Sequence, residues 1–449
     1  MMIFKNILFL FIIVFISLDI SSCAVGKKYK RSGSDSTAFD IPPAVRFFRI
    51  YGDNDERNPP ILLISDEKSK YNTNAGHSSL TLEFDIDSEL PPNVNIKFVH
   101  CDVNWKETEN AIVQNNIFNR TSNVEWTSST FLDDYYSFRG KTKIPSPTVR
   151  FEYSGNYKAK IFVDGEDEIP IAEQRFFVVK PLANTQLRVF TGLYDSQFQV
   201  TRSSLTLETI VWTEEAFFDN RMHSLVYYRN NRYFEPYVCS NDMNVNNYSY
   251  LYNFELSPMI SGFSTYEKRF RLEGIPAENV YRTLYMSNPA LFPRSKDPVR
   301  LPLSDIARNG NYYERDNDGV MRTDFVSNSV DDYVLVEFVL DPESFLPNRD
   351  VFISGSFNNW NPDRNWIMNY DEELRLYRSI NWVRRGNHDY LYGVGSFNPQ
   401  TNRFEKFSFD FYEGNTIYSN HTFYGFVYYN QVELGGFDAI IGVIKGGTF

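Results

Sequence analysis

Ser79-Leu80-Thr81-Leu82-Glu83-Phe84-Asp85-Ile86 alternates polar and apolar residues without a break. Side chains of a β-strand point alternately to opposite faces, so Leu80, Leu82, Phe84 and Ile86 share one face. The stretch reads as a half-buried strand. Asn156-Tyr157-Lys158-Ala159-Lys160-Ile161-Phe162-Val163 repeats the pattern, with Asp164-Gly165 as a turn. Gln174–Val179, Leu205–Trp212 and Tyr333–Val339 are further strands of this kind. Leu225–Phe234 reads as a hairpin around Asn230-Asn231, because Asn tolerates positive φ. Aromatics make up 17% of the 449 residues, with 39 Phe and 30 Tyr, and aromatic residues favour strands.

These runs predict an all-β chain. Its length allows several cores, and the expected architecture is three tandem immunoglobulin-like β-sandwiches at residues 41–180, 181–330 and 331–449. Two intervals lack alternation. Residues 106–150, rich in Asn, Ser and Thr, read as a long loop on the first sandwich, a common place for binding function. Pro289–Val326 reads as a connector. It contains Asp316-Asn317-Asp318-Gly319, whose spaced acids suggest calcium. An EF-hand counted from Asp316 needs Gly and Glu where Met321 and Ser327 stand, so a turn is the better reading.

The stretch that most resembles chemistry is His100-Cys101-Asp102-Val103-Asn104-Trp105, after the strand run Val94–Val99. On a strand, His100 and Asp102 share a face and Cys101 turns away with Val99 and Val103. Neither neighbour can then serve Cys101 as a base, and a metal site needs more partners. A structural strand end is the expectation. Cys101 and Cys239 are too few for a disulfide framework; two separate buried thiols are favoured over a pair. The five His are scattered, and no phosphate loop or nucleophile elbow occurs. No catalytic residue, metal site or cofactor is assigned. A net charge of −12 argues against nucleic acid as a partner.

At the N-terminus, Lys5 precedes an apolar run, Ile7 to Ile16, of signal-peptide length. Ile20-Ser21-Ser22-Cys23-Ala24 then places small residues before a Cys, as in bacterial lipoprotein signals. The expectation is a signal at 1–22, lipid attachment at Cys23 and a tether at 23–40 that begins with a basic cluster, Lys27-Lys28-Tyr29-Lys30-Arg31. No later segment is apolar for long enough to cross a membrane as a helix.

A strand ending in His-Cys-Asp-x-x-Trp resembles the signature of the type 9 secretion system plug protein family. Phe131-Leu132-Asp133-Asp134-Tyr135 resembles that family's Tyr-Leu-Asp-Gly-Phe element, departing from it at Asp134 and Tyr135. Ser154-Gly155-Asn156-Tyr157 resembles its hairpin strand, and Tyr428-Tyr429 with Asp438-Ala439-Ile440-Ile441-Gly442 resembles its C-terminal part. The resemblance implies a non-enzymatic plug. Such a protein binds the periplasmic end of a large outer-membrane translocon β-barrel and seals it when cargo is absent. It also implies an outer-membrane lipoprotein facing the periplasm. The resemblance does not say which surface enters the barrel; the 106–150 loop region of the first sandwich is the candidate. Val351–Gly355 followed by Phe357-Asn358-Asn359-Trp360 resembles early-set domains, including glycogen-binding modules. There Trp360 packs under a loop, and Trp366 and Trp382 are the candidates to stack on sugar rings. A glycan-binding lipoprotein is therefore the alternative. An enzyme acting on envelope polymers rests only on abundant carboxylates.

Overall fold

The computed structural model describes residues 43–64, 71, 73–114, 117–129, 135–163, 169–193, 203–213, 221–262, 266–308, 312–313, 318–327 and 330–448. The signal, the tether with Cys23, residues 131–134, the Asp164-Gly165 turn and Asp316-Asn317 lie outside the described residues.

The first segment contributes β1 (Ala44–Gly52), β2 (Ile61–Leu63), β3 (Leu80–Asp87), β4 (Val94–Cys101), β5 (Arg120–Thr121), β6 (Glu125–Ser128), β7 (Phe138–Ile144), β8 (Gly155–Val163) and β9 (Ala172–Val179). They form two sheets, β1-β3-β7-β6 and β2-β9-β8-β4-β5. Leu80, Leu82 and Phe84 of β3 meet Ile96 and Phe98 of β4 and Phe176 of β9 in one apolar cluster between them. The predicted alternation therefore does place its apolar face in a core. The interval 106–150 is not a single loop, however. It contains β5, β6 and β7, and β7 lies inside a sheet, between β3 and β6. Its apolar-facing positions are Gly140 and Thr142 between Phe138 and Ile144, too weak a pattern to stand out in the sequence.

The middle of the chain supplies β10 (Asn184–Leu193), β11 (Ser203–Trp212), β12 (Met222–Arg229), β13 (Tyr237–Ser240), β14 (Ser257–Ser261) and β15 (Glu267–Pro276). Then come β16 (Arg282–Tyr285), β17 (Val299–Arg300), β18 (Asp305–Ile306), β19 (Tyr333–Asp341), β20 (Asp350–Gly355), β21 (Asn369–Asp371), β22 (Leu376–Arg384), β23 (Asn387–Asn398), β24 (Arg403–Ser408), β25 (Thr422–Asn430) and β26 (Asp438–Gly447). One sheet runs β10-β11-β15-β14 and a second β13-β12-β25-β26. A third is β16-β23-β20, with β24 also on β23, and a fourth β17-β19-β22-β21, with β18 also on β19.

The fold is all-β with packed sheets. The last two strands return to the middle of the chain's own sheets: β25 lies between β12 and β26, so sheets join residues on either side of position 330. The connector 289–326 likewise carries β17 and β18, both parallel to β19. The run Phe423–Tyr429 explains the return of β25. It is buried throughout, and a strand with no wet face needs a neighbour on each edge and cover on each side. Residues from Pro43 onward cluster as one compact unit.

Candidate functional site: the seams between sandwiches

The turn after β4 is built by Asp102. Its Oδ1 accepts from the backbone N–H of Asn104 at 2.9 Å and of Lys106 at 2.8 Å. This Asx-type turn puts Trp105 at φ 64°, a left-handed conformation uncommon for a bulky residue. The turn aims Trp105 out of its own sandwich. The ring is 4% exposed, and its Nε1–H donates to Tyr228 Oη on β12 at 3.1 Å. Phe177 of β9 stacks on Phe426 of β25 beside it, with centroids 4.0 Å apart. Val103 N–H donates to Asp438 Oδ2 at 2.9 Å, Asn156 Nδ2 to Asp102 O at 2.8 Å, and Tyr428 Oη to Asn156 Oδ1 at 2.7 Å. Residues 102–105 thus fasten the first sandwich to the β13-β12-β25-β26 sheet.

The three side chains that looked reactive have separate partners. His100 is buried, with Nδ1 2.8 Å from Thr108 Oγ1 and Nε2 3.1 Å from Ser154 O. Burial pulls its imidazole down to about 4, so it is neutral at working pH. Cys101 packs in the same apolar cluster as Val103 and Trp105, and burial pushes its thiol up to about 12. That is the reverse of an activated thiolate. Cys101 and Cys239 are both free and buried, on β4 and β13.

A second seam uses the other face of β3. Thr81, Glu83 and Asp85 are as buried as the apolar residues between them, so this strand is buried on both faces and not on one. Register sets Glu83 opposite Lys141 and Asp85 opposite Arg139 on β7. Opposite charges at facing positions stabilise a strand pair. Asp331, Tyr333 and Arg384, the last two on β19 and β22, complete the cluster. Arg384 Nη1 donates to Glu83 Oε1 at 2.5 Å, and its Nε and Nη2 each reach Asp331 at 3.2 Å. Arg139 grips Asp85 through Nε at 2.6 Å and Nη2 at 3.0 Å, and Tyr333 Oη donates to Asp85 at 2.8 Å. Arg49 adds bonds to Glu83 at 2.7 Å and Glu56 at 2.7 Å. Burial pushes the Glu83 carboxyl up, but Arg49, Arg384 and Arg139 outweigh it and hold it well below the usual carboxylate range.

A third buried cluster joins the middle and later strands. Arg232 donates to Glu235 at 2.9 Å and also meets Glu278, and its guanidinium lies 5.4 Å from the Trp360 ring. Trp360 packs under a loop: its Nε1–H donates to Gly319 O at 2.7 Å. Gly319 has φ 76°, as the Asp318-Gly319 turn requires. Of the two aromatics read as sugar platforms, one is buried and the other, Trp382, is half-buried. Trp366 is buried and stacks on Phe357 at 4.6 Å, and Trp382 stacks on Tyr135 at 4.9 Å. Among the described residues no group of three or more His, Cys, Asp or Glu is placed to hold a metal ion.

Sequence reasoning missed Arg49, Arg139 and Arg384. The available signal was the pairing of Thr-x-Glu-x-Asp on β3 with Arg-x-Lys-x-Lys on β7. The acceptors on β19 and β22 lie too far along the chain to be seen.

Residues 50–180 match the family model described as type 9 secretion system plug protein 1st domain. The match falls on the first sandwich, which is similar to a plug first domain. That match associates the chain with type 9 secretion and the cell envelope, and it agrees with the resemblance carried by His100–Trp105. A crystal structure of a hypothetical protein from Parabacteroides merdae shares 18% identity at a TM-score of 0.69, covering 90% of this chain and 97% of that one. It shows a common fold extending well past the plug first domain. The Dpr2 Ig1-Ig2 fragment, from its complex with DIP-Theta Ig1-Ig3, reaches a TM-score of 0.15 at 14% identity over 53% of this chain and 88% of that one, and carries no argument. No curated protein matches the chain.

Proposed function

We propose that this protein is a non-enzymatic plug. It binds the periplasmic end of the type 9 translocon barrel in the outer membrane and seals it when cargo is absent. Cys23 carries the acyl chains that hold it to that membrane. The match of residues 50–180 to the plug first domain carries the reading. The seams support it. A stopper must resist deformation, and sandwiches joined by buried rings and by paired charges move as one body. The reactive-looking His100, Cys101 and Asp102 serve such a joint, with no shared substrate-facing geometry. The anchor keeps the plug beside the membrane in which the barrel lies, raising its local concentration there.

The test is a mild-detergent pull-down of the tagged chain from native outer membrane, repeated with secretion blocked. Recovery of a very large barrel protein without cargo is the expected result. Recovery of the chain alone, retained on glucan resin, overturns the proposal in favour of glycan binding. Cys23→Ser is expected to move the chain from the membrane to the soluble periplasmic fraction.

A further inference from the structure

Arg49, Arg139, Arg232, Arg384 and Arg385 are buried, and each meets a carboxylate. Arg175 on β9 is buried too, at 8% exposure, and among the described residues no carboxylate pairs with it. Its guanidinium carbon lies 4.4 Å from the ring centroid of Trp105 and 4.3 Å from that of Phe234. Nη1 donates to Tyr233 O at 3.1 Å. Among the described residues Nε, which is fully buried, meets no acceptor and Nη2 makes no hydrogen bond. The edge bearing Nε and Nη2 is the one with which Arg139 grips Asp85 and Arg384 grips Asp331. A buried cation without a counter-charge is costly, and burial here pulls the group down to about 10.

Arg175 lines a cavity of about 80 Å³ walled by distant parts of the chain, residues 47–60, 174–234 and 319–360, room for a handful of waters or one small ion. Tyr51 lines it as well, and its hydroxyl makes no hydrogen bond among the described residues. Glu56, also on the wall, is already matched by Arg49 and Thr323. Half-buried Gln174, Asn231 and Val320 form the approach from solvent.

We propose that this cavity is a binding site for a small carboxylate of formate or acetate size, held in bidentate fashion by the Nε and Nη2 edge of Arg175 with Tyr51 as a second donor. A planar fork facing a planar carboxylate is the arrangement this fold already uses twice. Because the cavity walls come from distant parts of the chain, an occupant ties them together.

The test uses full-length protein and sodium formate, with sodium chloride at equal ionic strength as reference. Broadening of the ¹³C-formate resonance reads binding, and the thermal midpoint reads its effect on stability. Wild type is expected to show saturable broadening with half-saturation on the order of millimolar and a matching saturable rise in midpoint. Arg175→Lys keeps the charge but loses the fork, and half-saturation is expected to rise roughly tenfold. Should that variant fail to fold, Tyr51→Phe decides, with a rise of about threefold expected for one lost neutral hydrogen bond. Absence of saturable broadening in wild type, or half-saturation unchanged in the folded variants, overturns the site.

Discussion

The two seams that join the first sandwich to the rest of the chain are made of opposite materials. One is a wedge of rings: Trp105 enters beside Tyr228, with Phe177 flat on Phe426. The other is a lattice of charges: Glu83, Asp85 and Asp331 interleaved with Arg49, Arg139 and Arg384. Each is buried, and each grows from the end or the back of a strand whose opposite face fills the same sandwich core. The difference lies in what failure costs. Rings lose contact area gradually as they are trimmed, whereas a charge lattice that loses one member leaves buried ions without partners.

That contrast is sharpest at Arg384, which faces Glu83 and Asp331 together. Arg384→Met is expected to lower stability by about 3–5 kcal/mol in urea unfolding, because buried Glu83 and half-buried Asp331 each lose one of their cations. A loss below about 1 kcal/mol would show that water enters this seam, and the contrast would collapse. Acid separates the seams by pH. His100 is held near 4 when folded and titrates near the ordinary imidazole value of 6.5 when unfolded. Between those values the unfolded chain takes a proton that the folded chain refuses. The stability associated with neutral His100 is thus full above 6.5 and lost as pH falls towards 4, roughly 3 kcal/mol over the window. Glu83, held below the carboxylate range, keeps its contribution above the ordinary glutamate value of 4.5 and loses it only as pH falls further. His100→Gln should flatten the upper part of the stability curve and leave the lower part in place, as measured by urea midpoints at each pH. His388 and His421 are also pulled down by burial, so the difference between wild type and variant is the quantity to read.

Smaller effects refine the picture. Trp105→Phe keeps an aromatic wedge but removes the bond to Tyr228 and part of the ring, and about 2 kcal/mol is expected. An equal loss for Trp105→Phe and Arg384→Met would erase the distinction between graded and abrupt failure. At the bottom of the scale is Arg57, which meets Asp324 across an exposed pair at 3.1 Å. Arg57→Ala is expected to change stability by less than about 0.5 kcal/mol, since solvent screens such pairs.

Much of this was written in the local pattern. Period two in Leu80–Ile86, Asn156–Val163 and Leu205–Trp212 marks strands that the fold contains. Opposite facing of Cys101 and His100 was enough to argue against catalysis. Alternation does not reveal what covers the polar face. Glu83 and Asp85 look solvated in the sequence because charged residues on strands usually are, and the partners that bury them come from beyond residue 330. Nor does it reveal which sheet a fully apolar run such as Phe423–Tyr429 will enter, since every sheet edge accepts the same backbone pattern. Arg175 gave no signal at all. It precedes the continuous apolar run Phe176–Val179 of β9, and its environment is assembled from three distant parts of the chain.

The position of β25 and β26 also sets an order of events during synthesis. β12 takes one of its two neighbours from residues 422–430, which leave the ribosome long after β12 itself. Until then β12 presents an open edge, the feature most prone to pairing with the wrong chain. A chain cut short before Thr422 therefore lacks more than its tail, because its middle sheet has no closing strands. The bare edge of β12 thus distinguishes a chain without β25 from one whose sheet is closed, for any chaperone or protease that binds unpaired strands.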